Sequence, residues 1–144
     1  MMFWDSSGLV PLMLGDTHSA HAEQLLQRDP QITVWWAAPI ECEGALARTL
    51  RMGGTDLASI DQAQARLNHL TQLWLEVGPD EQVRRTARRL IRIHDLRAAD
   101  SQQLAAALVA CNQHTATLPF VCFDRRLRAA ARAEGFMVYP EELA

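Results

Sequence analysis

The sequence predicts an α/β fold in one domain over residues 1–144, built on a parallel sheet of four to five strands with helices on both faces. Three observations predict it. Short β-branched and aromatic segments alternate with longer segments whose apolar residues recur at helical spacing. The strand segments are apolar almost throughout, as strands covered on both faces are. The chain has 144 residues, 49% of them apolar, and carries no repeat, low-complexity tract or long linker, which suits a single core.

Met1–Trp4 is a short apolar run ended by Asp5-Ser6-Ser7-Gly8, which predicts a buried strand and then a turn. Leu9–Leu14 is expected to be a short helical piece. Asp16 or Thr17 then caps a helix that runs to about Arg28 and is broken by Asp29-Pro30. Ile32–Trp35 is β-branched and aromatic, a second strand. Pro39 suits the first turn of a helix starting near Ala38 and ending at Gly53-Gly54. Asp56 or Ser59 opens the next helix, with Ile60, Ala63, Leu67 and Leu70 on its core face.

Leu73–Val77 reads as the third strand, stopped by Gly78-Pro79. Asp80 caps a helix over about 81–93, and Asp95 starts another whose Leu104 and Leu108 face inward. Phe120–Phe123 is the fourth strand, ending at Asp124. A short helix over 125–134 closes at Gly135, and Met137–Tyr139 makes the fifth strand.

Composition excludes several functions. No apolar run approaches the roughly 20 residues of a membrane helix. No basic segment precedes the apolar start, and Asp5 interrupts it, so no signal peptide is expected. Three cysteines without a CxxC pair fit reduced thiols and a cytoplasmic location. The chain holds no lysine, so it has no P-loop, and it lacks the lysine that receiver domains and haloacid-dehalogenase-type phosphatases place beside their aspartate. Net charge is −3, unevenly spread. Residues 1–83 carry eleven acids and four arginines; residues 84–144 carry ten arginines and six acids. Such a chain can hold a phosphate between a metal on one side and guanidinium groups on the other.

Ligands of open α/β sheets bind beyond the carboxyl ends of the strands. Asp5 and Asp124 fall at such ends, and Glu41 and Asp100 fall in early helical turns. Any one of them alone is a cap or a solvated charge. Together in one cleft they would repel by about 4 kcal/mol per close pair at an effective dielectric near 20. Protons or a cation must then neutralise them. All-oxygen ligation suits Mg²⁺ or Mn²⁺, which polarise phosphodiesters and activate water.

These residues resemble a known family. FWDSSGLVPLM is similar to the opening motif of PIN domains, a strand ending in Asp5 and followed by a small hydroxyl residue. WWAAPIECEGALARTL resembles the second motif and aligns its glutamate with Glu41; LRAADSQQLAAALVA places the third at Asp100; FVCFDRRLRAAARAEGF places the last at Asp124. The match covers essentially the whole chain, in order, and resembles most the VapC-like toxins of toxin–antitoxin pairs. Ser101 stands where that family favours alanine. Glu43, two residues from Glu41, points to another helix face, so Glu41 is preferred.

The resemblance implies a PIN-like three-layer α/β/α sandwich. It implies an endoribonuclease dependent on Mg²⁺ or Mn²⁺, with Asp5, Glu41 and Asp100 on the metal and Asp124 completing the site. It also implies a homodimer, a small VapB-like antitoxin and structured RNA substrates that include tRNA. Water as nucleophile leaves a 5′-phosphate and a 3′-hydroxyl. Ser6 or Ser7 could bind a carboxylate or the scissile phosphate, or serve as a turn hydroxyl. Arg97, Arg125 and Arg126 neighbour the acids and could contact phosphate or an antitoxin. Arg84, Arg88 and Arg92 share a helix face that either meets RNA or is simply solvated. His18 and His21 lack the partners of a zinc site. Trp4, Trp35, Trp36 and Trp74 lie on or beside strands, where core packing outweighs base stacking. The rival function is a catalytically silent PIN-like module that binds RNA or antitoxin; four intact acids favour the enzyme.

Overall fold

The computed structural model describes residues 1–143; residue 144, the end of the expected domain, lies outside the described residues. Five strands form one sheet: β1 (Met2–Trp4), β2 (Ile32–Trp35), β3 (Leu75–Val77), β4 (Phe120–Val121) and β5 (Val138–Tyr139). Their order is β3-β2-β1-β4-β5, and every pairing is parallel. The helices are α1 (Ser6–Met13), α2 (Ser19–Arg28), α3 (Ala38–Arg51), α4 (Leu57–Thr71), α5 (Glu81–Ile93), α6 (Ala98–Ala110) and α7 (Arg125–Ala133).

The period-2 alternation of strand side chains sorts the apolar residues into two cores. Met2, Trp4, Ile32, Val34 and Val121 pack with α1–α4 on one face. Phe3, Trp35, Phe120 and Val138 pack with α5–α7 on the other. The result is the expected three-layer α/β/α sandwich. Both faces are dry along β1, β2 and β4, which explains why those strands read as mainly apolar runs, while the edge strand β3 is exposed.

Three local expectations change. The turn expected after β1 is already helix, because α1 starts at Ser6 with Asp5 as its cap. The caps expected for α2 and α6 do not form: His18 and Arg97 occupy those positions without a side-chain cap bond. Asp16 instead accepts from the His18 backbone N–H at 2.7 Å, while its own N–H donates to Ser19 Oγ at 2.9 Å. β4 ends at Val121, two residues earlier than expected, so Asp124 belongs to the connection into α7.

The topology creates a switch point. From central β1 the chain moves outward through β2 and β3, then returns to the other side of β1 for β4 and β5. A crevice opens where the order reverses, beyond the carboxyl ends of β1 and β4. Asp5 and Asp124 follow those two strands.

Candidate active site

Asp5 is 3% exposed and is fixed from several sides. Its Oδ1 accepts the Gly8 backbone N–H at 3.2 Å and the Ser7 hydroxyl at 2.7 Å. Ser7 Oγ in turn accepts the Phe123 backbone N–H at 2.8 Å. One hydroxyl therefore ties the end of β1 to the loop after β4, with its proton and a lone pair both engaged. That makes Ser7 a positioning residue, and of the roles expected for it the bond to a carboxylate is the one it makes. Asp124 caps α7, accepting the Leu127 N–H at 2.9 Å through Oδ1, which leaves Oδ2 free for the crevice.

Asp5, Asp100 and Asp124 line one open cavity of about 420 Å³, together with Ser6 and Ser7. Glu41 stands behind them on α3, its carboxylate held by Gln103 Nε2 of α6. Burial pushes the Asp5 carboxyl up to about 7, and the charge of Glu41 adds to the rise. Burial also raises Glu41, and Asp100 reinforces it. Asp100 is raised by burial and by Asp124, while Arg97 and Arg126 pull it down. Four segments distant in the chain thus converge into one chain of mutually repelling carboxylates. Glu43 takes no part: it bonds Gln64 on the exposed side of α3 and α4.

The expected arginines divide. Arg97 and Arg126 lie close enough to Asp100 to act on its charge. Arg126 also pairs loosely with Asp95 at 3.8 Å, in solvent. Arg125 faces a separate cavity against Glu141 and Glu142, so its proximity in sequence does not bring it to the acids. Of the tryptophans, Trp4, Trp35 and Trp74 are core and Trp36 is half exposed.

Two site residues were not singled out from the sequence. Gln103 is 1% exposed and orients Glu41. Its i,i+3 spacing from Asp100 on one helix is the signal that could have found it. Arg48 lines the same cavity as the three aspartates. It lies seven residues after Glu41, two turns along the same face of α3. His18 also lines the cavity and stacks on Phe123, ring centres 4.4 Å apart.

Among the described residues, no group of three or more His, Cys, Asp or Glu side chains is arranged to hold a metal ion. The chemistry of the donor set nevertheless fits a hard divalent cation. The donors are all oxygen, their charges oppose one another, and buried Gln103 Oε1 has no partner among the described residues. An acceptor in that position suits the water that Mg²⁺ retains when it binds.

No model of a known protein family matches the chain. A curated relative does: it is 32% identical over 147 residues, covering 99% of this chain and 97% of the relative, Ribonuclease VapC45 of Mycobacterium tuberculosis. The chain belongs to the VapC ribonucleases. Solved structures agree on the fold at lower identity. A toxin–antitoxin complex from Klebsiella pneumoniae superposes with TM-score 0.68 at 15% identity, all of both chains covered. VapC20 of M. tuberculosis, described as a sarcin–ricin loop cleaving toxin, gives 0.66 at 17% identity, with 95% of this chain and 97% of that one covered. As a VapC-family member the chain is a ribonuclease, which agrees with the expectation drawn from its four motifs. Among the described residues no helix is long and apolar enough to cross a membrane.

Proposed function

We propose that this chain is a single PIN domain that hydrolyses RNA internally at the crevice between β1 and β4, with Asp5, Glu41, Asp100 and Asp124 as its catalytic and metal-holding residues. The observation that carries this is the convergence of Asp5, Asp100 and Asp124 on one cavity, with Glu41 coupled to Asp5 and Asp100. When bound there, Mg²⁺ or Mn²⁺ supplies charge neutralisation, Lewis-acid polarisation of a phosphodiester and acidification of water.

The chain's own residues do the rest. Asp5, Glu41 and Asp100 would hold the cation. Asp124 keeps one carboxylate oxygen on the α7 N–H and presents the other to the crevice. Gln103 fixes the rotamer of Glu41, and Ser7 fixes Asp5. In this reading Arg48, which lines the cavity, and Arg97, which acts on the charge of Asp100, meet the scissile and flanking phosphates. Attack by water leaves a 5′-phosphate and a 3′-hydroxyl.

Structured RNA such as tRNA is the substrate class we assign. The regulator we assign is a VapB-like antitoxin, a reading supported by a chain of the same fold in a toxin–antitoxin complex. We further propose a cytoplasmic homodimer. A silent RNA- or antitoxin-binding module would have no use for carboxylates whose burial costs stability.

Labelled tRNA incubated with purified protein is expected to be cut in Mn²⁺ or Mg²⁺ and to stay intact in chelator. Asp100→Asn is expected to lower the rate at least about 100-fold with the fold unchanged by circular dichroism. Full activity in that variant removes Asp100 from the mechanism. No cutting of any RNA by the metal-loaded protein returns the silent module.

A further inference from the structure

A second cavity of about 320 Å³ opens on the other flank of α6, between α5, α6 and the end of β2. Its walls include Trp35, Pro79, Arg84, Arg88, Ala98 and Ser101. Ser101 directly follows Asp100 and Ala98 precedes it by two, so the cavity lies within about 5 Å, one helical turn, of the catalytic aspartate along the α6 axis. We propose that this cavity receives one unstacked base of the RNA substrate beside the scissile bond and so sets which nucleotide is cut. This rests on the nuclease assignment above.

Four features favour a base over other occupants. Trp35 is core and only 6% exposed, but the surface it keeps borders the cavity, and contact with an aromatic side chain tolerates any base while still holding it. The Trp35 Nε1–H is buried without an acceptor among the described residues, an unspent donor on a residue that borders the cavity. The volume is at the small end of ligand pockets, room for one planar ring and not for a helix or an extended peptide.

The fourth feature is charge. Arg84 and Arg88 stand one turn apart on α5, along the cavity edge, where the phosphates on either side of a flipped-out base would run. Arg84 is engaged only with Glu81, at 3.1 Å, in a pair 73% and 59% exposed, which phosphate can displace. Asp80 also reaches the cavity, but its Oδ1 is committed to the Val83 N–H at 2.9 Å. The helix face that the sequence left as either RNA-facing or solvated therefore has a specific neighbour for two of its three arginines.

The test measures binding separately from cutting. Fluorescence anisotropy is followed with labelled single-stranded RNAs of about 12 nucleotides, in Ca²⁺, with one abasic position stepped along the strand. For the wild type, one abasic register is expected to weaken binding about tenfold. Ala98→Leu fills the cavity from an exposed position on α6 and is expected to weaken binding of the intact RNA about tenfold while erasing the abasic effect. Arg88→Gln is expected to weaken all registers alike, and to reduce the salt dependence.

A folded Ala98→Leu protein, with melting as in the wild type, that binds RNA as tightly as the wild type overturns the proposal. So does a selective loss of affinity for a labelled peptide of alternating aspartate and leucine with RNA affinity unchanged, because the cavity then serves a protein partner. Cleavage in Mn²⁺ of these RNAs and of structured RNA such as tRNA reports on the nuclease assignment. Cutting that persists with unaltered base preference in Ala98→Leu sinks the pocket alone; binding with the predicted register but no cutting sinks the nuclease alone.

Discussion

Asp5 shows how much a single side chain can be held against its own preference. It caps α1, accepts two hydrogen bonds and is almost entirely buried, yet its carboxyl is pushed up to about 7 because burial and Glu41 outweigh those bonds. A carboxyl raised in the fold favours folding while it stays neutral. Its destabilising effect is absent below the unfolded value of 3.8, grows as pH rises and is complete above about 7. In chelator at pH 8, Asp5→Asn is therefore expected to unfold at higher urea than the wild type, by about 2 kcal/mol, since Asn can still accept from Ser7 and Gly8. Excess Mn²⁺ is expected to raise the wild-type melting temperature and to leave the variant nearly unmoved. A metal-free variant no more stable than the wild type would mean that Asp5 is not frustrated at all.

At the scale of elements, the start of α1 depends on a residue that looks unsuited to a helix. Gly8 is a poor helix former, and with two serines before it the segment reads as a turn. Its use is tertiary. A β-carbon there would sit 3.1 Å from Val121 Cγ1, 3.2 Å from the Val121 carbonyl and 3.3 Å from the Trp4 ring. Glycine lets α1 close on β4 and so brings Asp5 and Ser7 to Phe123. Gly8→Ala is expected to lower stability by about 1–3 kcal/mol although alanine is the better helix former, because Val121 and Trp4 are fully buried and have little room to shift. A stabilised variant in urea unfolding would contradict that packing.

A second inter-element tie is readable as pH dependence. Glu134, at the end of α7, accepts Arg89 Nη2 at 3.1 Å and pairs with His94 Nε2 at 2.7 Å, both from α5 and its cap. Burial pushes the Glu134 carboxyl up, but the His94 and Arg89 contacts outweigh it and hold it below its ordinary value. A depressed acid contributes stability above its unfolded value of 4.5 and loses it as pH falls through the folded value. Glu134→Gln is expected to cost about 1 kcal/mol at pH 7, the arginine being partly solvated, and progressively less as pH falls below 4.5. A cost independent of pH would show that the pair acts through packing.

The same scale explains what the sequence could and could not disclose. All five strands, the helices and the four acids were legible, because apolar runs, turn residues and family motifs are local. The caps of α2 and α6 were not, since Asp16 is a sound capping residue spent on a local turn with His18 and Ser19, and Asp95 one that pairs loosely with Arg126. Nor was the turning of Arg125 away from the acids, which depends on the angle at which α7 leaves Asp124. Gln103 stayed hidden because a glutamine carries no signal until burial is known.

Over the whole molecule, the C-terminal segment is fastened to the site by a buried cation. Arg128 is 3% exposed and has no acid among its described hydrogen-bond partners. Its guanidinium donates instead to the carbonyls of Cys122 at 2.7 Å, Pro140 at 2.6 Å and Glu141 at 3.3 Å. Burial and the neighbouring Arg132 and Arg125 all draw its ionisation down, so three carbonyl dipoles carry the charge unaided. The chain beyond β5 is thereby tied to the loop that carries Phe123 and Asp124.

Arg128→Met keeps the stem and removes the charge, leaving the three carbonyls without their donor. The expected loss is about 3 kcal/mol in urea unfolding. Because the loosened loop carries one of the four acids, Mn²⁺ affinity is expected to fall by about tenfold as well, measured by calorimetric titration under conditions where the variant is fully folded. Arg128→Lys can satisfy fewer of the carbonyls and should fall between. Stability lost with metal affinity unchanged would mean that Asp124 is positioned by its own cap on α7, and that the C-terminal clamp serves the fold alone.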